Sequence, residues 1–149
     1  MRLAFPYTLT LLPDDRYEVR FPDFDVQAAA ATAGEALDEA APLLIDALEE
    51  RIKAGRTDLF PTPRAGESLF FPGILLSVKV LLNQRCRETK IGAAELGRRM
   101  GLRPQETARI LDLEHATRID TMEKALAAVG LELEFTVKPK EDWDPTPYR

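Results

Sequence analysis

From Arg16 to Phe21 the chain alternates, with Tyr17, Val19 and Phe21 apolar or aromatic and Arg16, Glu18 and Arg20 charged. That is the period of a half-buried strand. The preceding segment, RLAFPYTLTLL, is equally β-rich, and the PDD between the two reads as a turn. FPDFD turns the chain again, and VQAAAAT is a weaker third strand. At Thr32 the period lengthens. TAGE has capping-box spacing, with Thr32 and Glu35 each able to bond the other's backbone N–H. Leu37, Ala41, Leu44, Leu48 and Ile52 then recur at three- and four-residue steps. Glu35, Asp38, Glu39, Asp46, Glu49 and Glu50 fall mostly on the other side, the pattern of an amphipathic helix. Pro42 interrupts it and predicts a kink or split, at about 3 kcal/mol unless relieved. AGRTDLFPTPRAGE is a Pro-rich loop and SLFF one more short strand, so the order over residues 1–72 is ββ(β)αβ.

The second half is helical in period. Leu75, Val78, Leu82 and Cys86 form a stripe from Gly73 to about Thr89, with Lys79, Arg85 and Arg87 off it. A short helix follows at about Ala93–Met100, and another opens at Pro104 after Gly101. DTME, from Asp120 to Glu123, is a second capping box, opening a helix that ends at Gly130. LELEFTV (131–137) alternates as a strand, and 140–149 is a polar, Pro-rich, flexible tail whose Trp143 has a place to dock still to be found.

Within this half, residues 92–111, GAAELGRRMGLRPQETARIL, have the parts of a helix-turn-helix. Gly97 stands where the first helix must cross the second closely, and Gly101 where the turn needs positive φ. Leu96, Met100, Leu102, Ile110 and Leu111 serve as anchors, with Thr107 as a β-branched one. Pro104 suits a first helical position, whereas Arg103 stands where a Ser or Thr cap is usual. With the anchors buried, Arg103, Pro104, Gln105, Ala108, Arg109 and Asp112 face outward together. Gln105 matches adenine, Arg109 or Arg103 guanine, and Asp112 cytosine. Arg98 and His115 complete the candidate DNA-binding set, His115 as a turn residue or phosphate neighbour.

Charge changes this picture only when it is divided. The whole chain carries −5, an unpromising value for a DNA binder. Residues 1–72, however, hold seven Lys or Arg against thirteen Asp or Glu, while residues 79–109 hold eight against three. A local basic patch can meet phosphates whatever the net charge. The rest of the composition is that of an ordinary globular protein, with 45% hydrophobic residues and no apolar run long enough for a bilayer. MRLAFPYTLTLLPDDRY breaks at Pro6 and Pro13, which argues against a signal peptide. A single cysteine, Cys86, excludes an intrachain disulfide and reads as core, so the expected location is cytoplasmic.

With AAELGRRMGL and ARILDLEHATRIDTMEKALAAVGLELE behind the sheet-like first half, including its FPDF turn and capped acidic helix, the chain resembles HicB-type antitoxins. The resemblance implies an α+β chain with a partial RNase H-like toxin-binding domain at 1–72. It implies a helix-turn-helix DNA-binding domain with a dimerising C-terminal strand at 73–139. The partners it implies are a small, basic, mRNA-cleaving HicA-type toxin, operator double-stranded DNA, and further copies in a dimer or dimer of dimers, with no membrane. Complementary charge would bring the acidic half to a basic toxin. Tyr17, Phe21, Asp23, Phe24 and Asp25 are the candidate toxin contacts, with core packing the competing reading for Tyr17, Phe21 and Phe24.

An enzyme is not expected. A metal-dependent nuclease needs carboxylates converging on Mg²⁺, yet Asp14, Asp15, Asp23 and Asp25 all fall in turns. His115 has no Ser, Cys or second His nearby, and no catalytic residue, metal or cofactor is assigned. Two rival readings remain open: a free-standing transcription regulator whose first domain senses a ligand, and the nuclease.

Overall fold

The computed structural model describes residues 4–61, 65–144 and 146. Among them four strands, β1 (Phe5–Leu11), β2 (Tyr17–Phe21), β3 (Val26–Ala30) and β4 (Ser68–Phe70), form one antiparallel sheet in the order β3-β2-β1-β4. The alternation in β2 fixes the register, because a slip of one residue would turn Val19 and Phe21 out to water. Leu9 stands opposite Val19, Tyr17 opposite Ala30 and Phe5 opposite Phe70. Asp15 (φ 63°) closes the first hairpin, and Asp25 (φ 53°) ends a 3-10 turn at Pro22–Phe24 that feeds β3. Both are Asp, one of the few L residues that tolerate a left-handed conformation.

Helix α1 (Ala33–Lys53) covers one face of the sheet. Thr32 Oγ1 accepts the Glu35 N–H at 3.2 Å, so the Thr32 half of the expected capping box forms. The stripe runs as expected through Leu44 and Leu48 but is shifted by one residue over its first two positions. Ala36, Ala40, Leu44 and Leu48 are buried, while Leu37 and Ile52 flank them half-buried. Alanines at 36 and 40 let the helix settle closely on the small residues of β3. Pro42 does not split the helix. Its ring lies on the exposed face, where water can satisfy the Asp38 carbonyl that loses its donor.

Helix α2 (Ile74–Thr89) is buried on consecutive positions, Ser77 to Val80, because it lies between two cores. Val80 and Leu76 pack with Phe5, Phe21, Leu44 and Leu48 against the sheet. Val78 and Leu82 pack instead with Leu96, Ile110, Met122 and Leu126 of the helical half, and Cys86 joins that core half-buried. The remaining helices are α3 (Ala93–Met100), α4 (Pro104–Leu111) and α5 (Ile119–Ala128). Beyond α4, Leu113 crosses back and is buried in the sheet-side core.

Three further expectations change. Helix α5 starts at Ile119, with Arg118 in the cap position and Asp120 already in the first turn, bonded to Arg118 and to the Thr121 N–H. Residues 131–137 form no strand. A ladder needs a neighbour, and the four strands among the described residues lie in the other half. Leu131 and Leu133 instead pack half-buried on the second core, leaving Phe135 59% and Val137 95% exposed. Trp143 docks nowhere and is exposed. The expected tail falls partly on residues 145 and 147–149, and the first expected strand partly on 1–3, outside the described residues.

Candidate nucleic-acid interface

Helices α3 and α4 meet at Gly97. A Cβ there would lie 2.7 Å from Thr107 Oγ1 and 3.2 Å from the Leu102 carbonyl oxygen, so only glycine permits this approach. Gly101 ends α3 in the left-handed region (φ 67°), and Leu102 N–H returns to the Gly97 carbonyl at 2.9 Å. Leu96, Thr107 and Ile110 are buried between the helices. Helix α4 has only eight residues, too few to persist alone in water. Its first turn is held by Pro104 and by the Glu106 carboxylate, which accepts the Arg103 N–H at 2.8 Å. Arg103 has no acceptor to offer in return, so one half of a capping box forms.

All eight sequence-derived DNA candidates, Arg98, Arg103, Pro104, Gln105, Ala108, Arg109, Asp112 and His115, are exposed. They do not share one environment. The side chains of Arg103, Gln105 and Arg109 make no hydrogen bond or ion pair among the described residues and are free to meet a ligand. Arg98 is engaged twice by Glu95, at 2.8 and 2.6 Å. Its partner Glu95 also binds Arg99, and the two guanidinium groups pull the carboxyl down to about 2. Ala108 and Asp112 border a cleft of about 430 Å³ whose other wall is Glu49, Ile52 and Lys53 of α1. The outward face therefore divides into an open side and a side turned to the sheet half.

That cleft carries like charges. The carboxylates of Asp46, Glu49 and Glu114 lie within 4.8 Å of one another. Burial first, then Glu114, raises the Glu49 carboxyl above its ordinary 4.5; Asp112 and Asp46 add to this and Lys53 opposes it. A carboxyl raised on folding contributes stability that is present below its ordinary value and lost as pH rises through the raised one. Glu49→Gln is therefore expected to raise the melting temperature at about pH 7 and leave it unchanged at about pH 3, measured by thermal melts. Equal shifts at both values would show that charge is not the cause. Helix α1 and the turn after α4 converge here, which no local sequence pattern announces.

Lys79, expected off the stripe and counted with the basic patch, is wholly buried. Its Nζ donates to the carbonyls of Arg109 (2.9 Å) and Asp112 (2.8 Å) and to Thr117 Oγ1 (2.8 Å). Burial pushes its pKa below the usual lysine value. One helical turn on, Asn83 Nδ2 donates to the Leu111 carbonyl at 3.0 Å. Neither residue was singled out as functional from the sequence, although a lysine within ILLSVKVLL is a visible signal of a buried, partnered charge.

The toxin candidates also separate. Phe21 is fully buried against Tyr7 and Phe70, and Phe24 is 8% exposed beneath Arg51, whose guanidinium sits 4.0 Å from the ring centroid. Tyr17 and Asp23 are half-buried, and Asp25 is exposed. Asp14 and Asp15 lie beyond one end of β2 and Asp23 and Asp25 beyond the other, so these four acids do not converge.

No protein-family model matches the chain. Antitoxin HicB 1 of Photorhabdus laumondii is 32% identical over 137 residues, covering 91% of this chain and 88% of that protein. Antitoxin HicB 2 of the same organism is 38% identical over 122 residues, covering 80% and 86%. Antitoxin HicB of Escherichia coli K12 is 33% identical over 138 residues, covering 91% and 99%. Matches of this extent cannot fall within the sheet half or the helical half alone. No helix of the described residues is long and apolar enough to cross a membrane.

Proposed function

The chain belongs to the HicB antitoxin family, and from that premise we propose that it binds and neutralises a small, basic, mRNA-cleaving HicA-type toxin and represses its own operon by binding operator DNA. The observation that carries this reading is the similarity to HicB antitoxins across both halves of the chain. It acts by binding rather than by catalysis. The sheet half, as a partial RNase H-like domain, takes the toxin; its excess of acidic residues favours encounter with a basic partner. The α3–α4 pair, as a helix-turn-helix, takes the DNA, with Arg103, Gln105 and Arg109 on its open side toward base edges. Two copies acting together read two half-sites.

Two assays test it. The purified chain is expected to co-elute with a HicA-type toxin and to stop its RNA cleavage. A chain that leaves cleavage untouched would remove the antitoxin reading. On a specific site Arg109→Ala is expected to cost about 1–3 kcal/mol, measured by fluorescence anisotropy beside an unrelated duplex. Equal loss on both would reduce Arg109 to a phosphate contact.

A further inference from the structure

The C-terminal end of α4 is completed by a different helix. The last carbonyls of any helix lack intrahelical donors. In α4 the backbone takes up the Ala108 carbonyl, bonded by the Asp112 N–H at 3.0 Å, and His115 N–H also reaches the Asp112 carbonyl at 3.3 Å. Beyond it, the Arg109 and Asp112 carbonyls are held by Lys79, and the Leu111 carbonyl by Asn83. Both side chains come from α2, whose Val80 is fixed in the sheet-side core. Among the described residues no carboxylate oxygen is bonded to the Lys79 ammonium, and the Asp112 carboxylate acts on it only through space. Two carbonyls, the Thr117 hydroxyl and the negative end of α4 satisfy its three protons.

A lysine can neutralise a helix end from many directions at the surface. Here its head is enclosed, and its donors fan to partners thirty, thirty-three and thirty-eight positions along the chain. That arrangement fixes both the height and the rotation of α4 about its own axis. An α4 rotated by a fraction of a turn would keep its Arg residues near phosphates but carry Gln105 and Arg109 out of reach of base edges. Contacts to phosphates tolerate such an error; bidentate contacts to bases do not.

We propose that Lys79 and Asn83 are positioning residues for sequence reading, holding α4 in the register that presents Gln105 and Arg109 to bases. The role rests on the reading of α4 as the DNA-contacting helix. It predicts a loss of discrimination rather than a general loss of DNA affinity.

The test uses the full chain and a duplex selected by the wild type from a randomised pool. Lys79→Met and Asn83→Ala are compared on that duplex and on an unrelated one of equal length, at the same salt. Affinity for the selected duplex is expected to fall about tenfold or more for Lys79→Met and less for Asn83→Ala, with the unrelated duplex within about twofold. Amides of residues 109–117 should exchange faster while those of β1 and β2 keep their protection. Thr117→Val removes one acceptor and should give a smaller loss, and Thr117→Ser, which keeps the hydroxyl, should restore discrimination. Should Lys79→Met not fold, Asn83→Ala and the Thr117 pair decide the matter. A wild type that selects nothing overturns the DNA reading of α4 and the positioning role with it. A wild type that discriminates, with variants that discriminate equally or lose both duplexes in equal measure, overturns the positioning role alone.

Discussion

A chain ending at Glu134 is expected to lose about 10²–10⁴ in affinity for a two-half-site operator while still capturing toxin. The reason lies in the segment that fails to become a strand within one chain. Residues 131–137 alternate, but among the described residues no strand lies beside them. A second copy would supply the missing neighbour, since an unpaired extended segment offers a row of free backbone donors and acceptors. Leu131 and Leu133 are needed by the helical core, so the cut falls after them. What goes is Phe135 and Val137, apolar and exposed in the single chain. One α4 alone spans a few base pairs, and half-sites about 34 Å apart need two. Sedimentation and gel shift follow the two losses separately. A truncated chain that shifts the operator at unchanged affinity would sink the dimer reading.

Phe21→Ala should remove about 3–5 kcal/mol of stability, the usual cost of emptying a buried aromatic site. The ring is fully buried, edge-on to Phe70 at 5.7 Å and tilted against Tyr7 at 5.9 Å. Against a total of about 5–15 kcal/mol for a domain, that loss takes between about a fifth and all of the margin. Toxin capture should then fall only in step with the fraction of sheet unfolded. Asp25→Asn separates the two effects, since the side chain is exposed and asparagine removes the charge while keeping the tolerance for φ 53°. That variant should melt within about 0.5 kcal/mol of wild type and slow association with a basic partner if the 3-10 turn faces it. Thermal melts beside association rates distinguish fold from contact. A Phe21→Ala protein as stable as wild type would place the ring outside the core after all.

The contrast between Phe21 and Asp25 shows what a sequence can and cannot disclose. Signals that act over a few residues were readable. The alternation of β2, the Thr32–Glu35 cap and the Gly97, Gly101 and Pro104 spacing each specify a local geometry that neighbours alone determine. Signals that depend on distant partners were not. Lys79 counts as a surface base until the Arg109 and Asp112 carbonyls are known to lie beside it. The one-residue shift at Ala36 and Ala40, at the start of the α1 stripe, comes from how closely alanines allow a sheet to approach, which periodicity does not encode. Aromatic residues near a turn look the same whether they fill a core or wait for a partner, so Phe21, Phe24 and Tyr17 could not be separated. The Asp46, Glu49 and Glu114 convergence is likewise a product of docking between the halves.

Leu113, buried in the sheet-side core one residue beyond Asp112, gives the junction the character of a latch. Its strength can be set in populations. Taken by itself, one buried leucine is worth about 2 kcal/mol, which as the sole tether would leave about one molecule in thirty unlatched. Because Lys79 and Asn83 also hold the end of α4 from α2, opening the junction costs more than this one side chain, and a ligand that favoured an open form would have to supply the whole of that difference.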